Sequence, residues 1–451
     1  MNSETKSSKL TRRSLLKRAT TAGAGLAAPW VVPSSVLGQN SASNRLNVAM
    51  IGIGRQAKYA NLPFFLHAPD AHVVAVCEVD HWRLENARKQ VEKHYGKNKP
   101  SGTYQGCQVT TDFREVIDRP DVDVVMISTP DHWHVPMAIA AARAGKDVCL
   151  EKPITMSIRE GRALVDAMER YGRVFRVDSE FRSIRVFHRA CELVLNGRIG
   201  EVQSIQVGVP KGDKACEPQP NMPVPQELDY EMWLGPAPQV PYTRRRVHPR
   251  HSYSRPGWMR VRDYCDGMIT NWGAHLVDIA QWGNGTELTG PIEVQATGKF
   301  PEDGLWNVLL DFEAHYRYAN GVKMTYTTSW PHVRFEGTEG WVEAGYSGRT
   351  LKAEPESILD ETIRPDEIHL RLKPEKRDFL DCVKSRERTL ESAEVGHRTT
   401  SVCHLGHISI QLGGKKLEWD PDAERFLNSR AANRLTRRYA LKPPWGKLVK
   451  A

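Results

Sequence analysis

Eight cysteines are spread through the 451 residues without one Cys-x-x-Cys pair and without a His/Cys set at zinc-ligand spacing. The common zinc sites need such spacing, so no metal centre is expected. Also missing is an apolar run fit for a bilayer, which takes ~20 largely apolar residues. The stretch from Ala19 to Gly38 comes nearest, and Pro29 and Pro33 interrupt it, so membrane insertion is not expected. Dense basic runs are scarce. Beyond the N-terminus only Arg244-Arg245-Arg246 qualifies, and it reads as a solvated loop. Residues 1–38 hold Lys6, Lys9, Arg12, Arg13, Lys17 and Arg18 against Glu4, so they supply five of the nine net positive charges and leave about four. A nucleic-acid partner is not expected.

What is present begins with Thr11-Arg12-Arg13-Ser14-Leu15-Leu16-Lys17, which reads as a twin-arginine export signal. Val36-Leu37-Gly38 suits cleavage, so a mature start near Gln39 and a periplasmic location are expected. That pathway moves folded proteins, so no disulfides are predicted. Hydrophobic and charged fractions of 40% and 26% are ordinary for a soluble globular chain, and the length leaves room for two domains.

Residues 45–172 alternate between strand and helix patterns. Val48–Ile51, Val73–Cys77, Val122–Ser128 and Val148–Leu150 are near-continuous apolar runs, the mark of parallel strands covered on both faces. Cys77 and Cys149 fall inside two of them, where a thiol is buried and inert. Ala138–Ala144 is a helix ended by Gly145, and Ser157-Ile158-Arg159-Glu160 is a capping box opening another. The alternation predicts an α/β fold with a doubly wound parallel sheet. Past Gly172 the pattern changes: a helix near Val186–Asn196, a strand at Val202–Val207, and a Pro-, Arg- and Tyr-rich loop over 210–262. Alternating runs follow between 291 and 350, including Val308–Phe312 and Lys323–Thr327, and then late helices near Lys376–Lys384 and Ala393–Leu412. These predict a C-terminal α+β domain (173–420) with an open, mostly antiparallel sheet, and a basic tail over 421–451. An exposed apolar face on that sheet would be covered by a second copy, so a homodimer or homotetramer is expected.

Gly52-x-Gly54-x-x-Ala57 follows a strand and precedes a helical stretch, the context of a dinucleotide fingerprint. The first glycine makes the turn, the second admits the pyrophosphate past Arg55 and Gln56, and Ala57 allows close packing. Glu78 ends the next strand, and a carboxylate there accepts from both ribose hydroxyls and repels a 2′-phosphate. NAD is therefore expected over NADP. Thr129-Pro130-Asp131-His132 and Glu151-Lys152-Pro153 each follow a strand, so Thr129, Pro130, His132, Glu151 and Lys152 are predicted to gather at the same crevice. His132 and His134 resemble metal ligands, but no carboxylate or thiol cluster supports them, and packing or capping is the reading. In the segment from Asp266 to Asp278, helical spacing puts Asn271, His275 and Asp278 on one face. Histidine is the natural proton acceptor near neutral pH. Lys152, His275 and Asn271 are the predicted catalytic set, and Arg182 and Asp266 are predicted substrate contacts.

The domain order, the glycine loop, Glu151-Lys152-Pro153 and the Gly273-x-His275-x-x-Asp278 helix together resemble the Gfo/Idh/MocA oxidoreductases. Trp233-Leu234-Gly235-Pro236-Ala237-Pro238 and Pro443-Pro444-Trp445 are similar to the twin-arginine-exported bacterial branch. The resemblance covers nearly all of the chain from residue 45. It implies that Lys152 and His275 form the catalytic pair, that Asp278 contacts the substrate and that the Lys152–Pro153 bond is cis. Relatives often carry aspartate where this chain has Asn271, and an amide orients an imidazole without stabilising its cation. Asp266, nearby in sequence, is the expected substitute. Glu180, where relatives often have glutamine, is a second departure. The expected function is NAD-dependent oxidation of a sugar or polyol CH–OH with a retained cofactor. Two alternatives stand beside it: redox-neutral epimerisation, elimination or glycoside cleavage through transient oxidation, and a non-catalytic carbohydrate-binding protein.

Overall fold

The computed structural model describes residues 45–449 other than 98, 100 and 214. The expected export signal and its cleavage point lie outside the described residues. Six strands, β1 (Leu46–Ile51), β2 (Ala71–Cys77), β3 (Gln108–Thr110), β4 (Val124–Ile127), β5 (Asp147–Glu151) and β6 (Phe175–Asp178), form a sheet in the order β3-β2-β1-β4-β5-β6. Every pairing is parallel, as expected. β4 and β5 are buried at every position because helices cover both faces. Helices Asp131–Arg143 and Ile158–Arg170 pack on one side. The other side is closed partly by a helix from far along the chain, Glu375–Ser385, through Phe379 and Leu380.

β6 has no apolar run to announce it. Its Phe175-Arg176-Val177-Asp178 is wholly buried, and Arg176 meets Asp378 and Glu391 at 3.1 Å each. Those partners come from distant segments, so a strand that reads as polar is stable only in the folded context. The expected capping box is half made. Ser157 caps the Glu160 amide at 3.4 Å, but the Glu160 carboxylate turns to Arg438 at 2.8 Å.

A second sheet holds β7 (Val202–Val209), β8 (Glu293–Lys299), β9 (Asp311–Arg317), β10 (Lys323–Thr328), β11 (His332–Gly337), β12 (Trp341–Gly345), β13 (Thr350–Glu354), β14 (Leu417–Asp420) and β15 (Arg425–Phe426). Its order is β13-β12-β11-β7-β10-β9-β8-β14-β15, antiparallel except for β7 beside β10. The run expected at Val308–Phe312 becomes a strand only from Asp311. Helices Arg185–Leu195, Gly273–Gly283 and Ala393–Gln411 cover the inner face.

The outer face is polar along the row that crosses its middle. Register places Glu343, Arg334, Gln206, Thr325, His315 and Gln295 in one row across the sheet. That row is polar throughout, so it offers no apolar patch of the kind that marks an interface. The C-terminal residues are also built in. β15 and helix Arg430–Leu435 follow β14, and the Trp445 ring packs 4.8 Å from that of Trp133. All eight cysteines are buried and unpaired. No helix among the described residues is long and apolar enough to cross a membrane.

Candidate active site

Strand order reverses between β1 and β4, and a cleft of about 330 Å³ opens there beyond the carboxyl ends of the strands. Gly52 lies at φ +82°, and a Cβ on it would sit 2.8 Å from the Ser128 carbonyl carbon. Only glycine fits. At Gly54 the nearest atom to such a Cβ is a guanidinium nitrogen of Arg83, 3.8 Å away, so the protein itself does not demand glycine there. Gly54 lines the cleft, and the missing side chain leaves its backbone open to a ligand. That opening is where a pyrophosphate fits.

Glu78 also lines the cleft. Its Oε2 accepts from the Ile53 amide at 2.7 Å and its Oε1 from the Asp80 amide at 3.1 Å. A carboxylate has about four acceptor positions, so capacity for ribose hydroxyls remains after it has fixed the glycine loop. Arg55, Gln56, Thr129, Pro130, Glu151 and Lys152 line the same cleft, as predicted. Ala57 is fully buried and packs behind it.

The sequence reading missed the support beneath Lys152. Ala57–Asn61 form a π-helical turn ahead of Pro63, which has no N–H to continue a regular ladder. The turn places Asn61 in the core, where its Nδ2 donates to Ser128 Oγ at 3.0 Å and Glu151 Oε1 at 2.8 Å. Burial, then the nearby Asp178 charge, pushes the Glu151 carboxyl well above its ordinary value.

Lys152 Nζ donates to the backbone oxygen of Asn271 at 3.1 Å and to its Oδ1 at 3.3 Å. The Lys152–Pro153 bond is cis. His275 shares the cleft. Its Nδ1 lies 2.8 Å from Ser179 Oγ, and its ring stacks on Phe181 at 4.3 Å. With Ser179 accepting from Nδ1–H, Nε2 presents a lone pair. Glu180 Oε2 stands 3.9 Å from the same Nδ1, and its side chain keeps 41% of its exposure. Phe181 carries Tyr346 on a stacked contact at 5.1 Å, giving the cleft an aromatic wall. Ser179, Glu180 and Phe181 follow β6 directly. Glu180 stands out in the sequence as a departure from glutamine, but Ser179 and Phe181 become legible only with that strand, since ligands gather at strand ends.

Burial, then the Lys152 charge, holds His275 well below the ordinary histidine pKa. It therefore stays neutral and able to take a proton at neutral pH. The acid limb of kcat/KM is expected below the reference value of ~6.5. A pH–rate profile with its acid midpoint at or above that value would contradict the assignment.

Four predicted contacts are corrected. Arg182 and Asp278 do not face the cleft. They bind each other through two 2.7 Å hydrogen bonds at 1% and 0% side-chain exposure. Asp266 cannot substitute beside Asn271, because its carboxylate faces His404 and His407 at 3.6 Å in a separate cavity. Burial raises that carboxyl to about 7. His132 is fully buried, with Nε2 3.0 Å from the Trp233 carbonyl, and burial lowers its pKa to about 3. It packs the domain junction rather than touching a cofactor.

The long loop expected at 210–262 is fastened over the nucleotide end of the cleft. His248 Nε2 pairs with Asp80 Oδ2 at 2.8 Å, Arg83 donates to the Ser252 carbonyl at 2.9 Å, and Arg55 to the Tyr253 carbonyl at 3.3 Å. The Tyr253 ring lies 5.2 Å from that of Trp82 and 5.8 Å from that of Tyr59.

Known proteins bear on this geometry. The family model described as "Oxidoreductase family, NAD-binding Rossmann fold" matches residues 46–179, and that described as "Oxidoreductase family, C-terminal alpha/beta domain" matches 209–447. The chain therefore carries an NAD-binding domain, and the Gly54 opening and Glu78 fit that cofactor. A glycosyl hydrolase family 109 protein of Saccharopolyspora erythraea is 34% identical over 184 residues, 38% of this chain and 39% of the relative. An uncharacterized oxidoreductase of Rhizobium meliloti is 32% identical over 157 residues, 35% of this chain and 43% of the relative. The matches thus span about two-fifths of these relatives. Among solved structures, aldose–aldose oxidoreductase from Caulobacter crescentus, complexed with glycerol, superposes with a TM-score of 0.59 at 19% identity, covering 83% of this chain and 99% of that one. Levoglucosan dehydrogenase, in complex with NADH and L-sorbose, does so with a TM-score of 0.59 at 21% identity and the same coverage.

Proposed function

Because the chain belongs to the Gfo/Idh/MocA oxidoreductase family, we propose that it oxidises a CH–OH group of a sugar or polyol. The observation that carries this is the convergence of Lys152, Asn271 and a buried, neutral His275 on the cleft beside the glycine loop. NAD, when bound, supplies the hydride acceptor. The chain supplies the rest. His275 Nε2 accepts the hydroxyl proton, Lys152 donates a hydrogen bond to the same oxygen, and Asn271 holds Lys152 through two acceptors. Phe181 and Tyr346 offer flat apolar faces of the kind that sugar rings stack against. The solved neighbours named for aldoses, levoglucosan and L-sorbose point to the same substrate class.

Retention of the cofactor belongs to this proposal. The 248–256 segment, fixed to Asp80, Arg83 and Arg55, restricts exit at the nucleotide end. An exported enzyme needs such retention, and export in folded form with periplasmic action is part of the proposal. Glu180 favours a second reading. A carboxylate beside His275 can take a proton from the carbon next to the oxidised one, which would let the cycle end redox-neutral, as cleavage or epimerisation. The relatives named as glycosyl hydrolases agree with it.

One experiment addresses both readings. The native protein is purified, its nucleotide is released by denaturation and assayed, and the intact protein is mixed with a sugar panel in D₂O. Retained NAD and a reduced-nicotinamide absorbance with some sugar are expected. Deuterium incorporation lost in Glu180→Gln supports the redox-neutral cycle, and absence of both nucleotide and absorbance change for every sugar sinks the proposal.

A further inference from the structure

Beside the mouth of the cleft lies a groove of about 580 Å³, walled by Arg244, Arg245, Arg255, Trp306, Met222 and Gln219 among others. Arg255 lines both the groove and the catalytic cleft, so the two are adjacent. No carboxylate lines the groove. Some surface arginines are matched, Arg250 with Glu227, Arg317 with Glu293 at 2.8 Å and Arg198 with Glu367 at 2.6 Å, and others stand singly. Here, among the described residues, three arginines share one surface with no carboxylate partner; Arg245 meets Cys216 Sγ at 3.6 Å and lies 5.9 Å from the Trp306 ring centre. Three guanidinium groups that share one concave surface repel one another, and an anion removes that cost.

The groove is held in shape. Trp306 Nε1 donates to the Arg245 carbonyl at 3.2 Å, and the Arg260 guanidinium, itself ion-paired with Asp213, sits 4.9 Å from the indole centre. The third arginine of the run turns away from the groove toward Tyr264. Planar donors of this kind take carboxylate or sulfate in two-pronged hydrogen bonds.

We propose that this groove is a binding site for an anionic saccharide, one bearing carboxylate or sulfate, whose next unit reaches the catalytic cleft past Arg255. The proposal rests on the reading of the cleft as a sugar site. A free phosphate-backbone ligand is the competing chemistry, but the groove holds three arginines beside an apolar wall of Trp306 and Met222 rather than an extended track of cations.

Calorimetric titration of the NAD-loaded protein with trigalacturonate, maltotriose and a short single-stranded oligonucleotide tests it. Binding of trigalacturonate, weakening with salt, and none of maltotriose is expected. The exposed pair Arg244→Ala/Arg245→Ala should weaken it at least about tenfold, the loss of one or two charge-assisted hydrogen bonds, while its turnover of a small neutral sugar stays unchanged. Lys152→Ala should lose oxidation and keep trigalacturonate binding, which separates failure of the groove from failure of the cleft. Absence of trigalacturonate binding, equal affinity for the oligonucleotide, or affinity indifferent to the double substitution would each overturn the proposal.

Discussion

Turnover of His275→Ala should fall by about 10²–10⁴-fold, the usual contribution of a positioned general base. The proton of the reacting hydroxyl has few places to go. Lys152 is a donor already engaged by both oxygens of Asn271. Glu180 stands at the same wall but faces His275 Nδ1, on the opposite side of the ring from Nε2. Removing the imidazole also removes the stack on Phe181, so a loss of folding could imitate a loss of chemistry. His275→Gln guards against that, because it keeps a polar side chain of similar reach and cannot act as a base. Both variants should keep the NAD affinity of the parent, read by quenching of protein fluorescence, and both should lose kcat. If either turns over within tenfold of the parent, the proton acceptor lies elsewhere and the cleft must be reassigned. Ser179→Ala should show a smaller fall, since Ser179 fixes only the tautomer and orientation of the ring.

The second large effect concerns stability. Asp278→Asn should destabilise the protein by about 3–5 kcal/mol, because it strips a fully buried guanidinium of its main counter-charge. Arg182 would keep Glu287 at 2.6 Å and the Leu390 carbonyl at 3.0 Å, but Glu287 is one-third exposed and answers a different nitrogen. Replacing both partners, Arg182→Met with Asp278→Leu, should recover much of the loss, since an apolar pair of like volume carries no desolvation cost. Urea titration followed by tryptophan fluorescence measures both. The kinetics then discriminate between roles. A structural Asp278 leaves KM unchanged in whatever fraction remains folded, whereas a substrate contact raises it. An Asp278→Asn protein as stable as the parent would mean that the pair carries no such weight.

That pair also marks where reading a sequence stops. His275 and Asp278 share the helix Gly273–Gly283, but Asn271 ends a separate short helix, Met268–Asn271, broken off at Trp272; Asn271 and His275 reach the cleft and Asp278 does not. Each residue advances 1.5 Å along a helix, so Asp278 lies about 4.5 Å further on than His275. At that depth Arg182 enters from another element and the cleft has ended. Spacing fixes direction around the helix axis but not what stands opposite. The same holds for Asp266 and His132: each is near the site in sequence and was turned away by neighbours from distant segments, His404 and His407 for one and Trp233 for the other.

By itself the sequence determined what depends on local pattern. Continuous apolar runs made a parallel sheet, and Gly52 and Gly54 made a turn open to a pyrophosphate. Residues at strand ends, Glu78, Thr129, Glu151 and Lys152, had to meet at the switch point. The tertiary structure alone decided which charges are buried against which. β6 exists because Asp378 and Glu391 compensate Arg176, and Ser179, Glu180 and Phe181 reach His275 because β6 exists. Electrostatic pairing across hundreds of residues leaves no periodic trace in a chain, and so it becomes legible only once the chain is folded.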